Sequence, residues 1–286
     1  MCKQEVYAAE MERSLWNVVL ANQGIDGTCI RYFARLDGQK NPCTNIATCC
    51  EGQGTRSLGA LPEFIYSTGA PGEVTVNLLQ ASEISLEISG SVLTLRQTTN
   101  FPNSSDITLH LVAEDGSAGA GPDAGPGAGP GAGPGASNDP VLSVRLRIPG
   151  WAASETVSVT VAGRGPGRVL QGLPGSFLDL GLMGVGETVT MAPVMALRAS
   201  IYNGSTTMSC YTRAAVEYGP ILLAAVGPWS NCSGIPCISI QGVDPMTEPT
   251  TWLRPVPSHP LHFEVRNNPA VTFRPYYQIA SESFTV

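Results

Sequence analysis

Hydrophobic and polar positions change their period along this chain. From Val6 to Ala21, Tyr7, Met11, Leu15 and Val18 recur at helical spacing, with Glu10 and Arg13 elsewhere on the cylinder. The spacing predicts an amphipathic helix ended by the turn Gln23-Gly24-Ile25-Asp26-Gly27. One helix cannot form a domain, because its apolar stripe needs a cover. Beyond Pro62 the period falls to two. Val74–Leu78, Ile84–Ile88, Val92–Gln97, Ile107–Leu111, Leu142–Ile148, Val157–Val161, Phe177–Leu180 and Val189–Ala192 alternate or run apolar in short segments. Such segments, separated by turns, predict a β-sandwich. A second β-rich stretch includes Ala214–Val226 and Leu261–Tyr277. Between Ala118 and Ala136 a Gly-Ala-Gly-Pro repeat interrupts the pattern. Glycine raises backbone entropy and proline removes donors, so this tract is read as a disordered insertion over residues 115–140 between sandwich strands.

Composition narrows the function classes. The 286 residues suffice for two domains with cores of their own. Sixteen basic against twenty-three acidic residues give a net charge of −7, which argues against a nucleic-acid partner. No run approaches the roughly 18 consecutive apolar residues of a membrane span, so no membrane partner is expected. The opening Met1-Cys2-Lys3-Gln4-Glu5 lacks the apolar core of a secretory signal. Three sequons (Asn103-Ser104-Ser105, Asn203-Gly204-Ser205, Asn231-Cys232-Ser233) and eight cysteines hint at the secretory pathway for a longer product. Localisation is otherwise open, and these two sets of signs together predict a natural N-terminus further upstream.

The candidate chemistry centres on Cys49-Cys50 in Thr48-Cys49-Cys50-Glu51-Gly52-Gln53-Gly54-Thr55-Arg56. Adjacent cysteines rarely satisfy the geometry of a bridge to each other. Two thiolates on one turn suit a soft cation such as Zn²⁺, which needs about four ligands. The bland alternative is a pair of buried or disulfide-bonded thiols. Cys29 and Cys43 either bridge each other or serve as substitute zinc ligands; Cys232 and Cys237 fit a small-loop disulfide. Glu51 reads as a solvated carboxylate rather than an acid of the site. Arg56 pairs either with a carboxylate of the site or in a structural ion pair. His259-Pro260-Leu261-His262 imitates a metal pair, but no further ligand run accompanies it, and His110 stands alone. Trp16, Trp151, Trp229 and Trp252 could stack on sugars; Trp151 after Pro149-Gly150 reads as sandwich core.

The order of motifs resembles one family. Tyr7-Ala8-Ala9-Glu10-Met11-Glu12-Arg13-Ser14-Leu15-Trp16-Asn17 is similar to its Y-A-D-x-x-E-R-x-L-Y-N helix. Ile30-Arg31-Tyr32-Phe33, the double cysteine, Leu61-Pro62-Glu63-Phe64-Ile65-Tyr66, Val76-Asn77-Leu78 and Leu95–Pro102 follow in order. Leu146-Arg147-Ile148-Pro149-Gly150-Trp151-Ala152, Tyr218–Leu223 and Arg274–Ile279 close the series. The resemblance is to glycoside hydrolase family 127, the β-L-arabinofuranosidase family, and runs from about Tyr7 to the end.

The resemblance implies a fold that is mainly β, two β-sandwich domains preceded by a remnant helix and loop of an (α/α)₆ barrel. Residues 1–65 would be the barrel remnant with the Cys-Cys loop, 66–200 a β-sandwich domain, and 201–286 a second β-rich region. It implies a carbohydrate substrate, zinc as cofactor, Cys49 as both nucleophile and metal ligand, and Cys50 as a metal ligand. The family's E-x-C motif and its acidic Glu lie upstream of the Y-A-D helix, and only six residues precede Tyr7 here. A missing N-terminal barrel segment is therefore expected as partner. The expectation is a glycosidase of retaining mechanism, weak or inactive as this isolated chain. The alternative is a non-catalytic β-sandwich module that binds carbohydrate or supports a partner domain.

Overall fold

The computed structural model describes residues 4–43, 48–88, 90–114, 141–163, 165–201, 214–232, 235–238, 240, 242–245 and 247–286. The Gly/Ala/Pro tract at 115–140 and the Asn203 sequon lie outside the described residues. The fold is mainly β, with a helical segment at each side of the loop that leads into it.

Two sheets face each other. Ser82–Ile88, Ser91–Thr99, Ile107–Glu114, Thr188–Met191, Val157–Ala162 and Arg168–Gly172 form an antiparallel six-stranded sheet in that spatial order. Ser176–Gly184, Val141–Ile148, Glu73–Val76 and Tyr66–Thr68 form a four-stranded sheet, in which Glu73–Val76 and Val141–Ile148 run parallel. The period-two pattern is the cause. Leu93, Leu95, Leu109, Leu111, Val159 and Val161 point in from one sheet, and Val74, Val76, Leu142, Val144 and Leu146 from the other. All are 2% exposed or less and belong to one apolar cluster.

A third, eight-stranded sheet follows. Its spine runs Asp37–Gly38, Phe284–Thr285, Ile221–Val226, Asn268–Pro275, Phe263–Val265, Leu253–Pro255, and Ala214–Tyr218 links Leu197–Ile201 to the Ile221 strand. Gly219 makes the turn between Tyr218 and Ile221 at φ 58°, and a Cβ there would meet Met195 Cγ at 2.9 Å. Val216, Leu223, Phe263 and Phe273 extend the sandwich's cluster into this sheet.

The first helix runs Glu5–Ser14, passes through a π turn at Leu15–Val19 and ends at Leu20–Asn22. Its buried face differs from the predicted stripe. Tyr7 and Val18 are 53% and 51% exposed, while Glu5, Ala8, Glu12, Leu15 and Trp16 are buried. The reason lies in Arg147, on the outer face of the strand whose inner face carries Leu142, Val144 and Leu146. Its guanidinium is fully buried and binds Glu5 at 2.7 Å and Glu12 at 3.2 Å. Gly150 N–H donates to Glu5 Oε1 at 3.2 Å and Trp151 Nε1–H to Glu12 Oε2 at 2.7 Å. The helix is thus docked by its acids at Glu5 and Glu12 as well as by Ala8, Met11, Leu15 and Trp16. Lower down, Asn17 donates to Pro220 O (2.8 Å) and accepts from Leu222 N (2.9 Å), which ties the same helix to the third sheet.

Three of the four tryptophans are core: Trp16, Trp151 and Trp252 are 7–9% exposed, and Trp229 alone is 36% exposed. Phe101 stacks on Trp151 (centroids 5.7 Å) and meets Trp16 edge-on (6.0 Å).

Candidate functional site

Cys49 and Cys50 do not sit in a loop. They open the helix Cys49–Ala60. Thr48 is its N-cap: Thr48 Oγ1 accepts from Glu51 N at 3.2 Å, and Glu51 Oε2 accepts from Thr48 N at 3.0 Å. This is a complete capping box, written in the sequence as Thr48-Cys49-Cys50-Glu51. Glu51 is therefore engaged in holding the turn rather than being an idle solvated carboxylate. The helix buries no residue fully, and it approaches the rest of the chain at Gly54, where a Cβ would stand 2.8 Å from Ile30 Cγ2.

Both thiols are free; Cys49 is exposed and Cys50 half-buried. Their sulfurs are 3.9 Å apart. Burial pushes the Cys50 thiol above the ordinary range, and the hydrogen bond and charge of Cys49 push it the same way. Two adjacent thiols cannot both ionise cheaply unless a cation stands between them. Tetrahedral zinc with Zn–S bonds near 2.3 Å sets its sulfurs about 3.8 Å apart, so the observed separation fits two corners of such a site. Among the described residues there is no group of three or more His, Cys, Asp and Glu that could hold a metal. Among the described residues, Cys49 and Cys50 supply two of the four donors that a zinc site needs.

Cys29 and Cys43 are bonded to each other, Cα atoms 6.0 Å apart, and so are not zinc ligands. Cys237 is also disulfide-bonded. Arg56 donates to Gln53 Oε1 at 3.0 Å on the surface and has no carboxylate there. His110 bonds Thr188 Oγ1 at 2.9 Å. His259 and His262 stack 5.2 Å apart, bonded to Ser258 and Gln278, and join no metal cluster.

Beside the cysteine turn lies an open cleft of about 280 Å³, lined by Ile30, Arg31, Tyr32, Phe33, Asn41, Pro42, Thr48 and Glu51. Ile30-Arg31-Tyr32-Phe33, one of the motifs shared with the resembled family, forms much of its wall. The available signal was an aromatic pair next to a turn: Tyr32 and Phe33 meet edge-on at 4.6 Å and are 52% and 61% exposed. Arg31 is held by Asn41 O (2.7 Å) and Gln23 O (2.8 Å), so the two limbs of the loop are joined across the cleft. Lys40 supports it from behind. Its Nζ donates to Ala21 O (2.7 Å) and Tyr276 O (2.8 Å) and lies 4.5 Å from the Tyr276 ring centroid. Burial, with Arg31 nearby, lowers the Lys40 pKa to about 7; Glu282 opposes this.

Residues 73–181, the sandwich, match the family model described as Beta-L-arabinofuranosidase, GH127 middle domain. This segment is similar to a family 127 middle domain. The whole fold is similar to that of a solved GH127 β-arabinofuranosidase, at TM-score 0.63 and 17% identity, over 98% of this chain and 45% of that one. It is similar also to a GH127 β-L-arabinofuranosidase from Geobacillus Stearothermophilus T6 (TM-score 0.56, 15% identity, 99% of this chain and 46% of that one). A solved glycoside hydrolase matches at TM-score 0.55 and 15% identity, over 99% and 48%. At such identities the likeness is one of fold. The chain spans less than half the length of the solved structures it matches. No curated protein sequence matches it. The family 127 model covers the sandwich and not the cysteine turn, so the sulfur chemistry stands on the geometry described above.

Proposed function

We propose that this chain supplies the nucleophile of a retaining glycosidase of the β-L-arabinofuranosidase type, acting on terminal β-L-arabinofuranosides or related plant-type glycans. The observation that carries the reading is a pair of unbonded thiols 3.9 Å apart on a capped, accessible turn beside an aromatic-rimmed cleft. Cys49 is the nucleophile and a metal ligand, and Cys50 is the second metal ligand. Zinc, when bound, favours the thiolate form of its sulfur ligands at neutral pH. The Cys49 sulfur attacks the anomeric carbon as the glycosidic C–O bond breaks, and water later displaces the sulfur. Two inversions leave the configuration retained. Tyr32 and Phe33 offer faces for the sugar or its aglycone. Glu51, held by Thr48 N–H, keeps the turn in place. The proton for the leaving oxygen and the remaining two metal donors are assigned to groups beyond this chain. Without the acid the isolated chain is expected to be slower by about 10²–10⁴.

The test is purification with zinc, followed by metal analysis and an aryl β-L-arabinofuranoside assay. Bound zinc that falls in Cys49→Ser and Cys50→Ser, with slow turnover abolished in Cys49→Ser, supports the reading. A chain that neither binds zinc nor turns over, or whose turnover survives Cys49→Ser, refutes it. A second reading, a carbohydrate-binding or supporting module, draws on the family match lying in the sandwich alone. Glycan binding that survives loss of both cysteines would favour it.

A further inference from the structure

The exposed hairpin end formed by residues 100–106 joins Ser91–Thr99 to Ile107–Glu114 in the six-stranded sheet. It carries Asn103-Ser104-Ser105, one of the three sequons. A sequon means little until its side chains are seen. Here Phe101 and Pro102 are buried and anchor the loop, Phe101 against Trp151 and Trp16. The chain then turns outward. Asn103 N–H donates to Asn100 O at 2.9 Å, closing a turn that presents the Asn103 side chain to solvent. Ser104 is engaged with Asp106, through its hydroxyl to the Asp106 carboxylate and through Asp106 N–H at 3.1 Å. Ser105, two places after the asparagine, is half-exposed. Acceptor amide and hydroxyl thus stand on an accessible turn whose anchoring residues point the other way. Independently, the Cys29–Cys43 bridge and the disulfide-bonded Cys237 are what a chain folding in an oxidising compartment would carry, and asparagine-linked glycosylation takes place in such a compartment.

We propose that Asn103 is a site of N-linked glycosylation, its donor a lipid-linked oligosaccharyl diphosphate. The Asn103 Nδ2 forms the bond to the anomeric carbon of the oligosaccharide. The C–O bond to the diphosphate breaks, the lipid diphosphate leaves with the bonding pair, and one Nδ2 proton passes to a base of the transferase. Oxidation states do not change. The glycan projects from the turn while Phe101 stays packed on the two tryptophans, so the modification is compatible with the fold as it stands.

The test is expression of the full chain through the secretory pathway of a eukaryotic host. Peptide mass mapping follows enzymatic deglycosylation in heavy-oxygen water, and the Cys29–Cys43 peptide is mapped in the same digest. The expected result is heavy-oxygen-labelled aspartate at position 103. It is lost in Asn103→Gln and in Ser105→Ala, and retained in Ser105→Thr, which keeps the hydroxyl. Each variant is compared at the same peptide, so occupancy of Asn203 or Asn231 cannot stand in for it. Unlabelled Asn103 in chains that carry the Cys29–Cys43 bridge overturns the proposal, as does a label that persists in Ser105→Ala.

Discussion

Replacing Arg147 by methionine removes the cation from a node that holds two carboxylates. Arg147 is fully buried, and Glu5 and Glu12 are 7% and 1% exposed. Loss of one partner from a buried ion pair typically costs about 3–5 kcal/mol, because the remaining charge has neither water nor counterion. Here two carboxylates lose the same cation, at 2.7 and 3.2 Å. Each keeps one neutral donor, Gly150 N–H for Glu5 and Trp151 Nε1–H for Glu12, which offsets part of the loss. The expectation is a destabilisation of about 3–5 kcal/mol, which for a chain of this size lowers the melting temperature by roughly 6–20 °C. Urea and thermal unfolding followed by circular dichroism measure it. The comparison is Arg96→Ala, which breaks a pair of similar length (3.0 Å to Glu83) that is more than half exposed on both sides and should cost at most about 1 kcal/mol. The triple change Glu5→Gln, Glu12→Gln, Arg147→Met removes every charge of the node and should recover most of the loss. If Arg147→Met costs no more than Arg96→Ala, the node does not dock the helix and the reasoning fails.

Lys40 gives a pH dependence of defined sign. Its folded pKa, about 7, lies below the unfolded value near 10.4, so between those limits the unfolded chain binds the extra proton and stability rises with pH. The gain, on the order of a few kcal/mol, should vanish in Lys40→Met, read as urea midpoints from about pH 7 to about pH 10. Above that window the buried tyrosines, Tyr276 pushed up to about 12 among them, reverse the slope. Gly54→Val places a branched side chain where even a Cβ stands 2.8 Å from Ile30; a loss of about 1–3 kcal/mol and weaker zinc binding are expected, measured by denaturation and metal titration. Thr48→Ala removes the cap and should cost about 1 kcal/mol, visible as faster amide exchange at Glu51 and Gly52 than in the parent; unchanged exchange would count against the capping role.

The strands were largely legible because each sandwich strand turns one alternating face to the core. Ser91–Thr99 and Val141–Ile148 start within one residue of their predicted positions. Within the two facing sheets, the short strands Tyr66–Thr68 and Arg168–Gly172 were not foreseen; each runs to only a few residues. The helix is legible, and so is half of its inward face: Leu15 is buried and Met11 packs on the core, while Tyr7 and Val18 face out. Glu5 and Glu12 belong to no apolar stripe, and they are buried because Arg147, some 135 residues away from Glu12, supplies the opposite charge. Such a partner leaves no periodic trace. The cysteine helix, which the resemblance implies to be a loop, carries a local signal of its own in Thr48 and Glu51 three apart, set against glycines at 52, 54 and 59 that are poor helix formers. The cleft was hidden for another reason: its walls come from two limbs of a loop joined by backbone carbonyls, and carbonyls carry no sequence signature.

The bond between Cys29 and Cys43 makes a covalent ring of the stretch that contributes Ile30, Arg31, Tyr32, Phe33, Asn41 and Pro42 to the cleft. A ring of this span, 14 residues, forgoes about 3 kcal/mol of chain freedom before any guest arrives. The wall is therefore shaped in advance, and a ligand entering the cleft does not have to spend its own contacts on ordering it. Under reducing conditions that advantage is surrendered, so guests should dissociate faster from the opened ring even where every lining side chain is unchanged.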